Sequence, residues 1–71
     1  MTQTEMILEH LKQHGSITQA EAIREIGCYR LGARVYDLRR SGHNITRIME
    51  KSTNRYGVTV SYARYALNDA D

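Results

Sequence analysis

The sequence predicts a single α+β domain: three short helices, a brief strand bridging the first two, and a C-terminal β-hairpin. Three observations predict it. Two Thr-x-x-Glu boxes, Thr2–Glu5 and Thr18–Glu21, mark helix starts, because each side chain can satisfy an orphan backbone N–H of the first turn. Gly15, Gly27 and Gly42 stand where helical apolar spacing ends, and glycine readily takes the left-handed backbone that closes a helix. From Asn44 onward the texture turns β-prone.

The first helix is expected over about residues 3–14, with Met6, Ile7 and Leu11 at helical spacing. Ser16-Ile17 is long enough only for a bridging strand. Ala22, Ile23 and Ile26 give a short second helix its apolar side. Cys28-Tyr29 forms a turn, and the third helix runs from about Arg30 to Ser41 with Leu31, Val35 and Leu38 as its buried stripe. Gly32 lies within that helix and weakens it; close packing on the second helix is the expected reason. The stretches Ile45–Met49 and Val58–Tyr62, the latter continuing to Leu67, read as strands, with Glu50–Gly57 as the hairpin tip. Val58, Val60 and Tyr62 share one face, whereas Ala63, Tyr65 and Leu67 share the other. Either a bulge or strong twist reconciles them, or the outer half of the hairpin projects free of the core. The pattern alone leaves the register open. An ordered core over about 3–67 and a frayed acidic tail over 68–71 complete the single domain, 1–71.

A chain of 71 residues buries a thin core and has no room for a cleft between lobes, so binding is expected rather than catalysis. Hydrophobic residues at 41% and charged ones at 25% exclude global disorder. The N-terminal residues lack a signal-peptide pattern, no run is long enough to span a bilayer, and a lone Cys28 cannot form an internal disulfide; a cytoplasmic location is expected. The net charge of +2 is less informative than its distribution. Residues 1–27 carry Lys12 and Arg24 against Glu5, Glu9, Glu21 and Glu25. Residues 30–64 carry Arg30, Arg34, Arg39, Arg40, Arg47, Lys51, Arg55 and Arg64 against Asp37 and Glu50. One electropositive face is implied, as in nucleic-acid binders.

The segments Ile17–Ile23, Leu31–Gly42 followed by His43-Asn44-Ile45, and Ala63–Leu67 together resemble the winged helix-turn-helix superfamily, especially its short phage and prophage domains. The resemblance covers about residues 4–67. It implies double-stranded DNA as partner, the third helix in the major groove, and the hairpin as a wing on backbone or minor groove. Most such regulators act as dimers, and no dimerisation helix is expected after Leu67.

With Leu31, Val35 and Leu38 turned inward, the opposite flank holds Tyr29, Ala33, Tyr36 and Arg40, with Arg30 and Asp37 beside them and Arg34 and Arg39 at the edges. Arg30, near the helix start, is placed to pair with guanine. Ala33 leaves room for groove approach, Arg39 and Arg40 suit phosphates, and Tyr36 suits phosphate or sugar. Asp37 either orients Arg34 or Arg40, or accepts from a cytosine amino group. Thr18 and Gln19 are expected to add donors at a phosphate site on the second helix start. Arg47 and Lys51 are expected to track the backbone, and Arg55 to reach backbone or a narrow minor groove. His10, His14 and His43 lack a metal-ligand pattern, and no cofactor is implied. Two DNA-binding variants remain, a transcriptional regulator and an excisionase-like architectural protein. The competing class is a protein-interaction module, such as a phage inhibitor of a host or defence protein.

Overall fold

The computed structural model describes residues 1–69. Its elements follow the order α1 (Gln3–His14), β1 (Ser16–Thr18), α2 (Gln19–Ile26), α3 (Leu31–Arg40), β2 (Ile45–Thr53) and β3 (Thr59–Leu67). Both capping boxes form: Thr2 and Glu5 exchange bonds of 3.0 and 3.1 Å, Thr18 and Glu21 bonds of 2.9 and 3.2 Å. Gly15 and Gly27 close α1 and α2 with φ of 83° and 77°, where a side chain would be strained.

The core gathers one ridge from each element. Ile7 and Leu11 of α1, Ile17 of β1, Ala22 of α2 and Leu31, Val35 and Leu38 of α3 are buried together with Cys28 and Ile45; Leu8, Ile26, Tyr65 and Leu67 pack against them. The structure departs from the sequence expectation at Ile23 and adds to it at Cys28. Ile23 lies largely outside this cluster, 39% exposed, because α2 presents Ala22 and Ile26 inward. Cys28 is more than a turn residue, since its side chain is fully enclosed.

The three strands form an antiparallel sheet in the order β1-β3-β2. β2 and β3 pair without interruption from Ile45↔Leu67 to Thr53↔Thr59, so there is no bulge. The change of face along β3 comes from the alternation of a regular ladder that outruns the bundle. Ile45, Tyr65 and Leu67 turn to the helices, whereas Val58, Val60 and Tyr62 are exposed. The ribbon accounts for the molecule's long dimension of 40 Å against 24 and 20 Å. The hairpin tip is shorter than the sequence suggested: Asn54 accepts from the N–H groups of Tyr56 and Val58 and closes the turn.

The start of the acidic tail is pinned rather than frayed. Asp69 accepts the Asn44 N–H at 2.6 Å and lies 2.6 Å from His43 Nδ1, and Asn68 bonds Asn44 O and the Thr46 hydroxyl. Residues 70 and 71 lie outside the described residues.

Gly32 is also placed differently. It is the second residue of α3, and a Cβ there would meet the Tyr65 hydroxyl at 3.8 Å, an ordinary contact with the sheet rather than with α2. Its φ is not positive. Gly32→Ala is therefore expected to stabilise the fold by roughly 0.5 kcal/mol by restricting the unfolded chain. A rise in urea midpoint checks this; a fall would show that the added methyl does not fit beside Tyr65.

Candidate nucleic-acid interface

The α3 flank opposite Leu31, Val35 and Leu38 is open. Tyr29 is 74% and Tyr36 52% exposed, Arg30, Asp37 and Arg40 are exposed, and Ala33 is half-buried. Arg30 occupies the N-cap position. Its carbonyl accepts from Ala33 and Arg34, while its side chain takes no part in capping and is free to reach outward. The Arg40 guanidinium lies over the Tyr36 ring, 5.8 Å from its centroid, a cation–π contact that orients both at the C-terminal end of the flank.

Five residues expected to contact DNA, Thr18, Gln19, Arg34, Asp37 and Arg39, make hydrogen bonds or an ion pair within the fold. The Thr18 hydroxyl accepts the Glu21 N–H, and the residue is buried; the Glu21 carboxylate, on the Thr18 N–H, already complements the α2 dipole. Gln19 donates from Nε2 to Cys28 O at 2.7 Å and accepts the Leu31 N–H at 3.1 Å, so its amide fastens the turn between α2 and α3. Arg39 donates through Nε and Nη2 to Ile45 O at 3.1 and 2.9 Å, tying the end of α3 to β2. Arg34 is half-buried and pairs with Asp37 at 3.3 Å. Gln19 and Arg39 sit beside backbone groups left open by a turn and a strand end, which only the fold brings near.

On the wing, Arg47, Lys51 and Arg55 are exposed, Arg55 lying 5.7 Å from the Tyr56 ring centroid. Strand alternation gives Arg47 and Lys51 the face carrying Ile45 and, across the ladder, Tyr65, whose hydroxyl approaches Gly32 of α3. They therefore continue the α3 side of the molecule. The opposite face carries Arg64, which the sequence placed among the basic residues without a role. It donates to Glu50 at 2.8 Å and to Ser16 at 3.0 Å and lies 3.5 Å from Glu21, so it joins β2, β1 and α2 at the wing's root. Its partner Glu50 sits on the paired strand, a relation visible only once the register is known.

Among the described residues, Arg30, Arg40, Arg47, Lys51 and Arg55 have no carboxylate partner, whereas Glu21, Glu50 and Asp37 are all paired. Glu21, Glu50 and Asp37 are thus neutralised internally, and five cations without a carboxylate partner lie along α3 and the wing.

Burial pushes the Glu21 carboxyl up, but the Thr18 N–H, Arg64 and the Thr18 hydroxyl outweigh it and hold the group below its ordinary value. The Thr2 N–H does the same for Glu5, and His43 with the Asn44 N–H for Asp69. A carboxyl lowered by folding stabilises the fold fully above its unfolded value and loses that contribution as pH falls through the folded one. The urea midpoint is expected to decline as pH drops below the usual glutamate value of 4.5, with a shallower decline in Glu21→Gln. A midpoint constant through that range would contradict the capping assignment.

No helix of the described residues is long and apolar enough to cross a membrane. No curated protein and no solved structure shows significant similarity to the chain. A family model described as a winged helix-turn-helix domain matches residues 2–70, nearly the whole chain, and the protein belongs to that family.

Proposed function

We propose that the protein binds double-stranded DNA and acts as a small transcriptional regulator of the phage or prophage type, working by occupancy rather than catalysis. The observation that carries this reading is the grouping of Arg30, Arg40, Arg47, Lys51 and Arg55, all without a carboxylate partner, on α3 and the wing. Arg30 and Arg40 on α3 and Arg47 and Lys51 on the wing belong to one side of the molecule, while the glutamates at the wing's root are absorbed by Arg64. α3 enters the major groove with Arg30 leading, Ala33 admits close approach, and Tyr29 and Tyr36 lie against sugar and phosphate. Arg47 and Lys51 follow the backbone, and Arg55 extends from the tip.

The four free cations placed on phosphates, Arg40, Arg47, Lys51 and Arg55, imply that log K falls with log[salt] at a slope of about −3.6. Titration of a fluorescent duplex at several salt concentrations measures it. A slope near zero, or binding indifferent to Arg40→Ala and Lys51→Ala together, would overturn the reading. Selection from a random duplex pool then separates a regulator, which enriches a defined site, from an architectural binder, which enriches flexible steps.

A further inference from the structure

We infer that the outer edge of β2 is a pairing edge for β2 of a second copy of this chain, in an antiparallel register centred on Glu50. Two backbone bonds fix the phase of the ladder. Asn54 donates to Val58 O at 2.9 Å and Asn68 to Asn44 O at 2.8 Å, and both bonds continue the β2–β3 register. Even-numbered residues of β2 therefore turn their N–H and C=O toward β3, and odd-numbered ones toward the free edge. The Ile45 carbonyl agrees with this phase: it points away from β3 and accepts from Nε and Nη2 of Arg39.

Arg39 thus closes the edge at Ile45. What remains open among the described residues is the backbone of Arg47, Met49, Lys51 and Thr53, a set symmetric about Glu50. The ladder is regular along this stretch and the sequence contains no proline, so two common devices that blunt a sheet edge are missing. The ribbon outside the bundle is two-stranded and leaves Ile48 45% and Met49 54% exposed. Such a ribbon is weak in water until further strands extend it.

Symmetry and charge select the occupant and the register. Two identical antiparallel strands related by a two-fold axis must pair odd positions with odd. Centring on Met49 would set Arg47 directly opposite Lys51 twice, which is repulsive. Centring on Ile48 would require Ile45, whose carbonyl Arg39 already holds. Centring on Glu50 pairs Met49 with Lys51 and Arg47 with Thr53, opposes no two cations, and uses all four open residues in about eight backbone bonds. The two Glu50 side chains meet at the axis with each charge held by its own Arg64. The axis is normal to the sheet, so the faces bearing Arg47 and Lys51, and with them both α3 helices, lie on one side. This last consequence, one duplex engaged by two copies, rests on the DNA-binding reading; the pairing itself does not.

The test is cross-linking across the axis. Opposed Glu50 positions form a non-hydrogen-bonded pair with Cα atoms about 4.5 Å apart, within disulfide reach. Glu50→Cys is expected to give a disulfide dimer under mild oxidation about tenfold or more faster than Ser61→Cys, an exposed position away from the axis; the native Cys28 is buried and stays silent. Met49→Pro removes an N–H aimed at the free edge and no β2–β3 bond, so it is expected to sediment as a monomer at concentrations where the unmodified chain is expected to sediment as a dimer. Equal cross-linking at positions 50 and 61 would overturn the proposal even if Met49→Pro fails to fold. Duplex titration of the same samples keeps the two readings separate. A Glu50-centred dimer without duplex binding would sink only the DNA reading, and duplex binding without preferential cross-linking would sink only the pairing.

Discussion

Replacing Gln19 by methionine is expected to lower the stability of the domain by about 2 kcal/mol, from the loss of partners for two backbone groups in the interior. The substitution keeps the length of the side chain and removes only its polar end. Cys28 O then loses the donor at 2.7 Å and the Leu31 N–H loses the acceptor at 3.1 Å. Neither group has easy access to water: Cys28 is fully buried, and Leu31 is 1% exposed. A domain of this size commonly holds only about 3–5 kcal/mol in reserve, so the urea midpoint should fall by roughly half. Gln19→Glu retains the acceptor for Leu31 but sets a carboxylate against the Cys28 carbonyl, and its loss should be comparable. Affinity for DNA, corrected for the unfolded fraction, should fall as well, because the clasp fixes where α3 begins. A residue that merely donated to phosphate would behave differently: stability would hold and the salt slope would shrink by about one. Unchanged urea midpoint in Gln19→Met would therefore restore the phosphate role and remove the clasp.

That contrast shows where sequence reasoning succeeds and where it stops. The helix starts were legible because a capping box lies within four consecutive residues, and Thr18 with Glu21 carries both halves of the bond. The buried ridge Leu31, Val35 and Leu38 was legible because helical spacing alone places it on one side. The hairpin's length and register were not. Strand propensity around Glu50–Thr53 is weak, and the pairing to Thr59–Tyr62 holds through the partner strand rather than through local preference. The roles of Gln19 and Arg39 were invisible for a related reason. Their acceptors, Cys28 O and Ile45 O, are backbone groups that become neighbours only after folding. A polar side chain at the rim of a helix reads alike whether it meets a phosphate or a carbonyl. Charge counting likewise grouped Arg64 with the basic residues of 30–64 and gave it no role, although three internal partners hold it at the wing's root.

The residues left unpaired by the fold can be divided further by what they would touch. Arg30→Ala is expected to reduce discrimination between the best site and its single-base variants by about 1–3 kcal/mol, roughly 5- to 160-fold, while Arg55→Ala weakens all duplexes alike. The difference follows from position. Arg30 stands at the N-cap of α3, the end that approaches base edges when a recognition helix enters the major groove, and no capping bond holds its side chain back. Arg55 sits at the tip of a projecting ribbon beside Tyr56, where it meets backbone or a narrow minor groove that offers little sequence information. The salt slope should therefore drop by about one in Arg55→Ala. In Arg30→Ala the larger change is in the spread of affinities across a panel of single-base variants, measured at one salt concentration. Arg39→Ala is the internal control: its guanidinium is committed to Ile45 O, so it should cost fold stability and leave the spread intact. If Arg30→Ala and Arg55→Ala instead depress every duplex by the same factor, α3 contributes charge without reading bases, and the protein binds by shape and backbone alone.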